Sequence, residues 1–288
     1  MSVRSLKLAA SGFALAATLS LSAVATSVPA QAADLVKLFS KASQTPNESV
    51  DHSAWDKLLK TYISDGRDGL NDVDYKAWKA GGHKALKAYI QSLEKIDVTT
   101  LTKNQQFAFW ANLYNAKTID VVLEKYPVKS IKNVSLGGSL FATFTGGPWK
   151  AKIMKVNGVK LSLDDIEHGI MRKIFKDPRV HYAVNCASVG CPNLAKDAFT
   201  GAKLNAQLDN GAAAYVNSPR GIAVKNGRVV ASSIYKWFQV DFGGSEAGVL
   251  NHARKYAKPD LKAKLKGKSD IYDYEYDWSL NDKKDGAS

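Results

Sequence analysis

Apolar positions recur along this chain with two periods. Between residues 33 and 63, Trp55, Leu58, Leu59 and Tyr62 fall on one side of a 3.6-residue spiral, which predicts one or two amphipathic helices. Ser64 to Asn71 reads as a turn-rich connection. Helical spacing returns from about Tyr75 to Leu93, and a long helix is expected from about Thr102 to Lys125, stopped by Pro127. Residues 133–149 carry Gly137-Gly138 and Gly146-Gly147-Pro148 and predict a loop, with room for a short strand at Leu140–Phe144. Lys150–Val156 and Val159–Leu161 then flank Asn157-Gly158, a strong hairpin signal, and Asn226-Gly227 marks a second hairpin tip. Ser162 is a good N-cap for a helix at Leu163–Phe175, with Asp164 and Asp165 in its first turn. Val180 to Cys186 alternates like a strand. Helices are expected at Ala202–Val216 and Glu246–Tyr256, the latter broken by Pro259, and a last strand at Ile271–Tyr276. Residues 232–242 are aromatic-rich without a clear period.

This mixture predicts an α+β single domain, with N-terminal helices, a long central helix and later β-hairpins around a small sheet. No repeat and no linker divides the chain. The expected organisation is a leader at 1–32, an N-terminal helical segment at 33–74, the main domain at 75–281 and a frayed tail at Asp282–Ser288.

The first 32 residues change the picture. Arg4 and Lys7 form a short positive region, Leu8 to Val28 is uncharged, and Ala30-Gln31-Ala32 is a small-x-small pattern. That layout predicts a secretory signal peptide cleaved before Ala33, hence a periplasmic or secreted protein. No later apolar run reaches about 18 residues, so no transmembrane segment is expected after cleavage. The formal charge of +13 becomes +11 without Arg4 and Lys7. It favours anionic partners such as lipid head groups, cell-wall polymers or acidic ligands, or it is a solvated lysine surface. Export argues against nucleic acid, and the expected partner is a small molecule or cell-envelope component.

Candidate chemistry concentrates in three places. The densest is Arg179 to Asn193, which holds His181, Asn185, Cys186, Ser188 and Cys191. On a regular strand His181 and Cys186 point to opposite faces. Three readings stay open: a thiolate nucleophile with a histidine base, a redox couple, or a structural disulfide between Cys186 and Cys191. Closing so short a loop stabilises by only about 2 kcal/mol, so stability alone is an incomplete motive for the pair. Cys191, following Gly190 in a loop, is the preferred nucleophile, with Cys186 as the other option.

The second place is Leu161 to Arg172. Ile166, Ile170 and Ile174 mark a buried stripe, and Glu167 lies inside it. A buried carboxylate must be paired. Glu167 therefore either orients a histidine or acts in acid–base chemistry, or it pairs with Arg172 or Arg179. His168 sits at the edge of the stripe. The third place is the long helix, where Asn112 and Asn115 share an apolar face with Ala108, Ile119 and Val122. They tie the helix to a loop or hold a substrate carbonyl. The closing segment Tyr276–Asn281 reads as an edge-sealing core element rather than a site.

No metal or other cofactor is expected. His181, Cys186 and Cys191 make only a weak zinc set. The glycine-rich loop lacks a phosphate-loop ending, and no Gly-x-Ser-x-Gly elbow occurs.

FWANLYNA at 109–116, LSLDDIEHGIMR at 161–172, RVHYAVNCASVGCPNL at 179–194 and YDWSLN at 276–281 together resemble the DUF547 family. The resemblance implies no settled activity. It implies which residues form a site: Asn112, Asn115, Glu167, His168, Arg172, His181, Asn185, Cys186, Ser188, Cys191 and Pro192. The expectation is an exported thiol-dependent hydrolase or acyltransferase, with Cys191 or Cys186 as nucleophile, His181 or His168 as base and Glu167 or an asparagine as orienter. Asn112, Asn115, Asn185, Ser188 and Arg172 are the candidate substrate-binding residues. The alternatives are a binding domain stapled by the disulfide and a thiol–disulfide redox protein.

Overall fold

The structure is a computed structural model, and it describes residues 34–45, 50–136 and 147–284, apart from the Arg67 side chain. The predicted leader, the strand at Leu140–Phe144 and the last four residues lie outside the described residues. The fold is α+β. A short helix α1 (34–39) precedes α2 (Ser53–Tyr62), α3 (Tyr75–Gly81), α4 (His83–Leu93) and the long α5 (Lys103–Lys125). A hairpin of β1 (Ile63–Asp65) and β2 (Asn71–Val73) sits between α2 and α3.

α5 is the axis of the molecule. Thr102 and Gln105 form a reciprocal capping box at its start. Apolar side chains bury all round it, with Phe107, Phe109, Trp110, Leu113, Tyr114, Ile119 and Val122 in the core. That explains why its pattern is more hydrophobic than amphipathic. Leu35 and Phe39 of α1, Trp55 and Leu59 of α2, and Tyr75 and Trp78 of α3 join the same core. The N-terminal segment is thus continuous with the main domain in packing. The helix expected over Tyr75–Leu93 is broken at Gly82, where a side chain would come within 2.5 Å of the Tyr62 ring.

The first hairpin of the second half is β3 (Met154–Val156) with β4 (Val159–Leu161), turning at Asn157-Gly158 as predicted. Ser162 Oγ caps the next turn by accepting from the Asp165 amide. Here the expected α-helix is replaced by a π-helical turn, Asp165–Met171, which passes directly into α6 (Arg172–Phe175). The expected strand at Val180–Cys186 is also corrected: Val180–Ala183 is a helical turn, α7, and the chain extends only from Val184. Alternating apolar residues suit a strand, but these four are buried on all sides and so give no period.

The remaining elements are α8 (Leu204–Val216), β5 (Ile222–Lys225), β6 (Arg228–Ser232), α9 (Ser233–Trp237), a 3₁₀ turn (Gln239–Phe242), α10 (Glu246–Tyr256) and α11 (Pro259–Lys264). Pro259 opens α11 rather than only ending α10. β5 and β6 form the hairpin predicted at Asn226-Gly227. β7 (Asp273–Glu275) is shorter than expected and runs parallel to β6. A second apolar cluster, including Tyr182, Tyr215, Tyr235, Phe242 and Leu250, fills this half. The tail is not wholly frayed, because Asp282 bridges Val73 and accepts from Tyr126 Oη at 2.8 Å.

Candidate active site between the cysteine loop and the π-helical turn

Val180 and Ala183 belong to the first apolar cluster, and Tyr182 between them belongs to the second. This helical turn therefore contributes side chains to both cores just before Cys186. A cavity of about 230 Å³ opens here. Its polar and charged lining comes from Lys150, Asp164, Glu167, His168, His181, Cys186 and Cys191; its apolar lining is mainly aromatic.

The cysteine loop is built by amides. Asn115 Nδ2 donates to Ala183 O at 2.8 Å, and the Asn185 amide donates back to Asn115 Oδ1 at 2.8 Å. Asn185 Nδ2 in turn donates to Pro192 O at 2.6 Å, and its Oδ1 accepts from the Ala187 amide at 2.8 Å. Arg220 supports the loop from outside by donating to the carbonyls of Val189 and Cys191, while Tyr215 Oη donates to Gly190 O at 2.6 Å. Ala187 is held at a φ of 57°, a strained value for a residue with a Cβ. Gly190 is required because its backbone packs on Asp277, where an added Cβ would lie 2.9 Å from the amide. Asn112 makes a two-way bond with the Phe199 backbone, at 2.8 and 3.0 Å. Asn112, Asn115 and Asn185 are spent on backbone groups and are not free to hold a substrate.

Both cysteines are thiols in this structure, in contact and without a disulfide. Cys191, expected in an exposed loop, is buried; Cys186 is partly exposed. The Cys191 sulfur accepts from the Cys186 amide at 3.0 Å and from Tyr276 Oη at 3.3 Å. Burial opposes ionising Cys191, but the Cys186 thiol, Tyr276 and the Cys186 amide outweigh it together, and its pKa falls below the ordinary thiol value. Cys186 shifts the other way. Its hydrogen bond to Cys191 and its burial push its pKa well up. Ser188 Oγ and Tyr276 Oη lie 2.9 Å apart and complete the set of hydroxyls around the sulfurs. The two sulfurs are therefore unequally placed, and the donors around them favour a thiolate at Cys191 over one at Cys186.

The opposite wall carries the acid–base groups. His181 bonds Asp241 Oδ2 through Nε2 at 2.7 Å and stacks on Phe238, with ring centroids 4.2 Å apart. Asp241 also accepts from Arg172 Nε at 2.5 Å. Burial would raise the Asp241 pKa, but His181 and Arg172 hold it well below the usual carboxylate range. Arg172 also donates to His168 Nδ1 at 3.4 Å. Glu167 is buried as expected, but its partner is neither Arg172 nor Arg179. Tyr114 Oη donates to it at 3.0 Å, and its other oxygen lies 3.8 Å from His168 Nδ1 and 3.9 Å from His181 Nδ1. Arg179 is taken by Asp177 and Asp209. The π-helical turn sets out Glu167 and His168 side by side on this wall. No histidine nitrogen bonds a sulfur among the described residues.

Sequence reasoning missed Asp241, Tyr114 and Tyr276. Asp241 lies in the aromatic stretch that shows no period. Tyr114 sits between Asn112 and Asn115 but reads as core. Tyr276 and Trp278 belong to the segment expected only to seal an edge, and both line the cavity. Among the described residues, one cluster has metal-ligand spacing, His83, Asp120 and Glu124, but Lys117 and Lys87 already pair with its carboxylates.

No curated protein and no solved structure matches the chain significantly. Residues 98–216, which run from the 3₁₀ turn ahead of α5 through the cysteine loop to the end of α8, match the model of DUF547, a protein family of unknown function.

Proposed function

We propose that this cavity carries out thiol-dependent acyl transfer or hydrolysis after export of the chain, with Cys191 as the nucleophile. The observation behind this reading is the pair of donors, the Cys186 amide and Tyr276 Oη, aimed at one sulfur in the wall of a cavity. The Cys191 thiolate attacks an acyl carbonyl carbon and forms a thioester, and the leaving group departs with a proton. Water or another acceptor then attacks the thioester and restores the thiolate. No histidine touches Cys191, so the hydrogen bonds rather than a resting ion pair prepare it. His181, fixed by Asp241, and Glu167 exchange protons with the leaving group and the acceptor across the cavity. Asp241 takes the orienting role expected of Glu167 or an asparagine.

The test is alkylation of the folded, reduced protein with iodoacetamide at neutral pH, read by peptide mass. Cys191 is expected to react first, and Cys191→Ala to abolish turnover of a panel of activated esters and thioesters. Equal, slow labelling of both thiols, with no turnover lost in Cys191→Ala, overturns the reading and leaves a binding domain.

The direct thiol–thiol contact favours a second reading, a dithiol–disulfide couple. In an oxidising compartment neighbouring thiols tend to pair. A native mass two units low, and reversible reduction of the folded protein at a measurable potential, distinguish it.

A further inference from the structure

Two carboxylates face this cavity without a lysine or arginine partner. Among the described residues, none lies within 4 Å of Asp164 or Glu167; Asp164 has only His168 Nε2 at 4.0 Å. The Asp164 side chain makes no hydrogen bond among the described residues, although it is about two-thirds buried. Lys150 lines the same cavity but is exposed and makes no ion-pair contact within 4 Å of Asp164, and Arg172 is committed to Asp241. His168 does not fill the gap. Its Nε2 nears Asp164 only to 4.0 Å, beyond hydrogen-bond reach, while its Nδ1 lies 3.4 Å from Arg172. Burial raises the Asp164 pKa, and the nearby His168 and Lys150 offset this only in part, as expected of a carboxylate without a contacting cation.

Aromatic faces enclose the same space. Trp149 meets Trp278 edge-on at 5.8 Å, Trp237 stacks on Trp278 at 5.8 Å, and Tyr276 lies 4.7 Å from Trp278. The Trp149 carbonyl accepts from the Asp164 amide at 3.0 Å, so this aromatic group and the carboxylate start from adjoining backbone. Trp237 is 48% exposed, high for so large an apolar ring on a folded domain. The chain's own cations already use rings that line the cavity: Lys132 Nζ lies 5.1 Å from the Trp278 centroid, and Arg172 lies 4.8 Å from that of Phe238.

Carboxylates short of a cation, walled by indole and phenol rings, are the chemistry that recognises an organic ammonium group. We infer that the cavity binds a substrate bearing an alkylammonium head, with the cation between Asp164 and the Trp149–Trp237–Trp278 cluster and the apolar stem directed at the cysteines. This rests on reading the cavity as a substrate site, and it names the class of one substrate. An anionic ligand would meet Asp164 and Glu167, and a neutral one would leave them unpaired. The cavity volume of about 230 Å³ suits a short alkyl stem rather than a polymer segment.

The test is calorimetric titration of the reduced full chain with n-butylammonium, n-butanol and butyrate, in the wild type and in Cys191→Ala. The ammonium is expected to bind at least about tenfold more tightly than the alcohol, with no measurable butyrate binding. Asp164→Asn should erase the preference for the ammonium over the alcohol, and Trp237→Ala, at a half-exposed position, should reduce it with the fold unchanged by circular dichroism. Alcohol or butyrate binding as tight as the ammonium, or an undiminished preference in Asp164→Asn, overturns the inference. Retained ammonium binding in Cys191→Ala, in a protein whose thiols prove unreactive, would sink the thiol mechanism and keep the ammonium site.

Discussion

Tyr276 serves both thiols, its hydroxyl reaching Cys186 at 3.1 Å and Cys191 at 3.3 Å. Tyr276→Phe removes one donor from Cys191 and keeps the ring against Trp237 and Trp278. The Cys191 pKa is then expected to rise, read as an upward shift of the thiolate absorbance titration near 240 nm; an unchanged titration would deny Tyr276 this role. Asn115 acts differently. It touches no cavity atom, and its two bonds satisfy the Ala183 carbonyl and the Asn185 amide in the interior. Asn115→Ala leaves both backbone groups buried without partners, which costs about 3 kcal/mol in all. Urea unfolding should show that loss as a lower midpoint, together with weaker Cys191 labelling specificity as the loop relaxes.

At the scale of elements, the site is a meeting of three irregular pieces rather than of regular ones. The π-helical turn presents Glu167 and His168, the short helix α7 turns His181 inward, and the cysteine loop is fastened to the strand-like segment at 276–281 by Val189 and Gly190 amides on Ser279 and Asp277 carbonyls. That last contact is tight. Gly190→Ala would push a methyl into the Asp277 backbone, 2.9 Å from its amide and 3.0 Å from its carbonyl oxygen. Backbone does not yield as a flexible side chain does, so the loop must move. The expected outcome is loss of preferential Cys191 alkylation at a modest cost in melting temperature. Retained preference would mean that the loop tolerates displacement from the closing segment.

For the molecule as a whole, two buried histidines link stability to pH. His52 bonds Tyr89 beside the first core, and His252 bonds Tyr182 in the second. Burial lowers the pKa of each from 6.5 to about 4. Below 6.5 the unfolded chain takes up these protons while the folded chain does not, so the unfolded state gains. Stability is therefore full above about pH 6.5 and is lost as the pH falls toward 4, by on the order of 3 kcal/mol per histidine before discounting for their residual solvent contact. Asp241, whose pKa is lowered, adds a further loss at more acid pH. Since the turn at Val180–Ala183 packs side chains into both cores, thermal melts from pH 7 to 4.5 should shift as one transition. Two separating transitions would show that the cores unfold independently.

What the amino-acid order determined by itself is local chemistry. Asn157-Gly158 and Asn226-Gly227 fix hairpins because few other residues accept positive φ. Thr102 and Gln105 start α5, Ser162 caps the π-helical turn, and Ser245 caps α10 just before its predicted first residue. Glu167 was legible as a buried carboxylate, and the cysteine segment as the densest chemistry, because a polar group on an apolar stripe must have a reason. The pattern failed where burial is complete. Val180–Ala183 is buried on every side, so nothing in its order separates a helical turn from a strand, and with that turn went the direction of His181. The widening at Asp165–Met171 also leaves no period to read. Partners distant in sequence were decided by the tertiary structure alone: Asp241 for His181, sixty residues away, and Tyr276 for Cys186, ninety away. So too was the unequal setting of two thiols five residues apart, since it depends on which donors the fold aims at each sulfur.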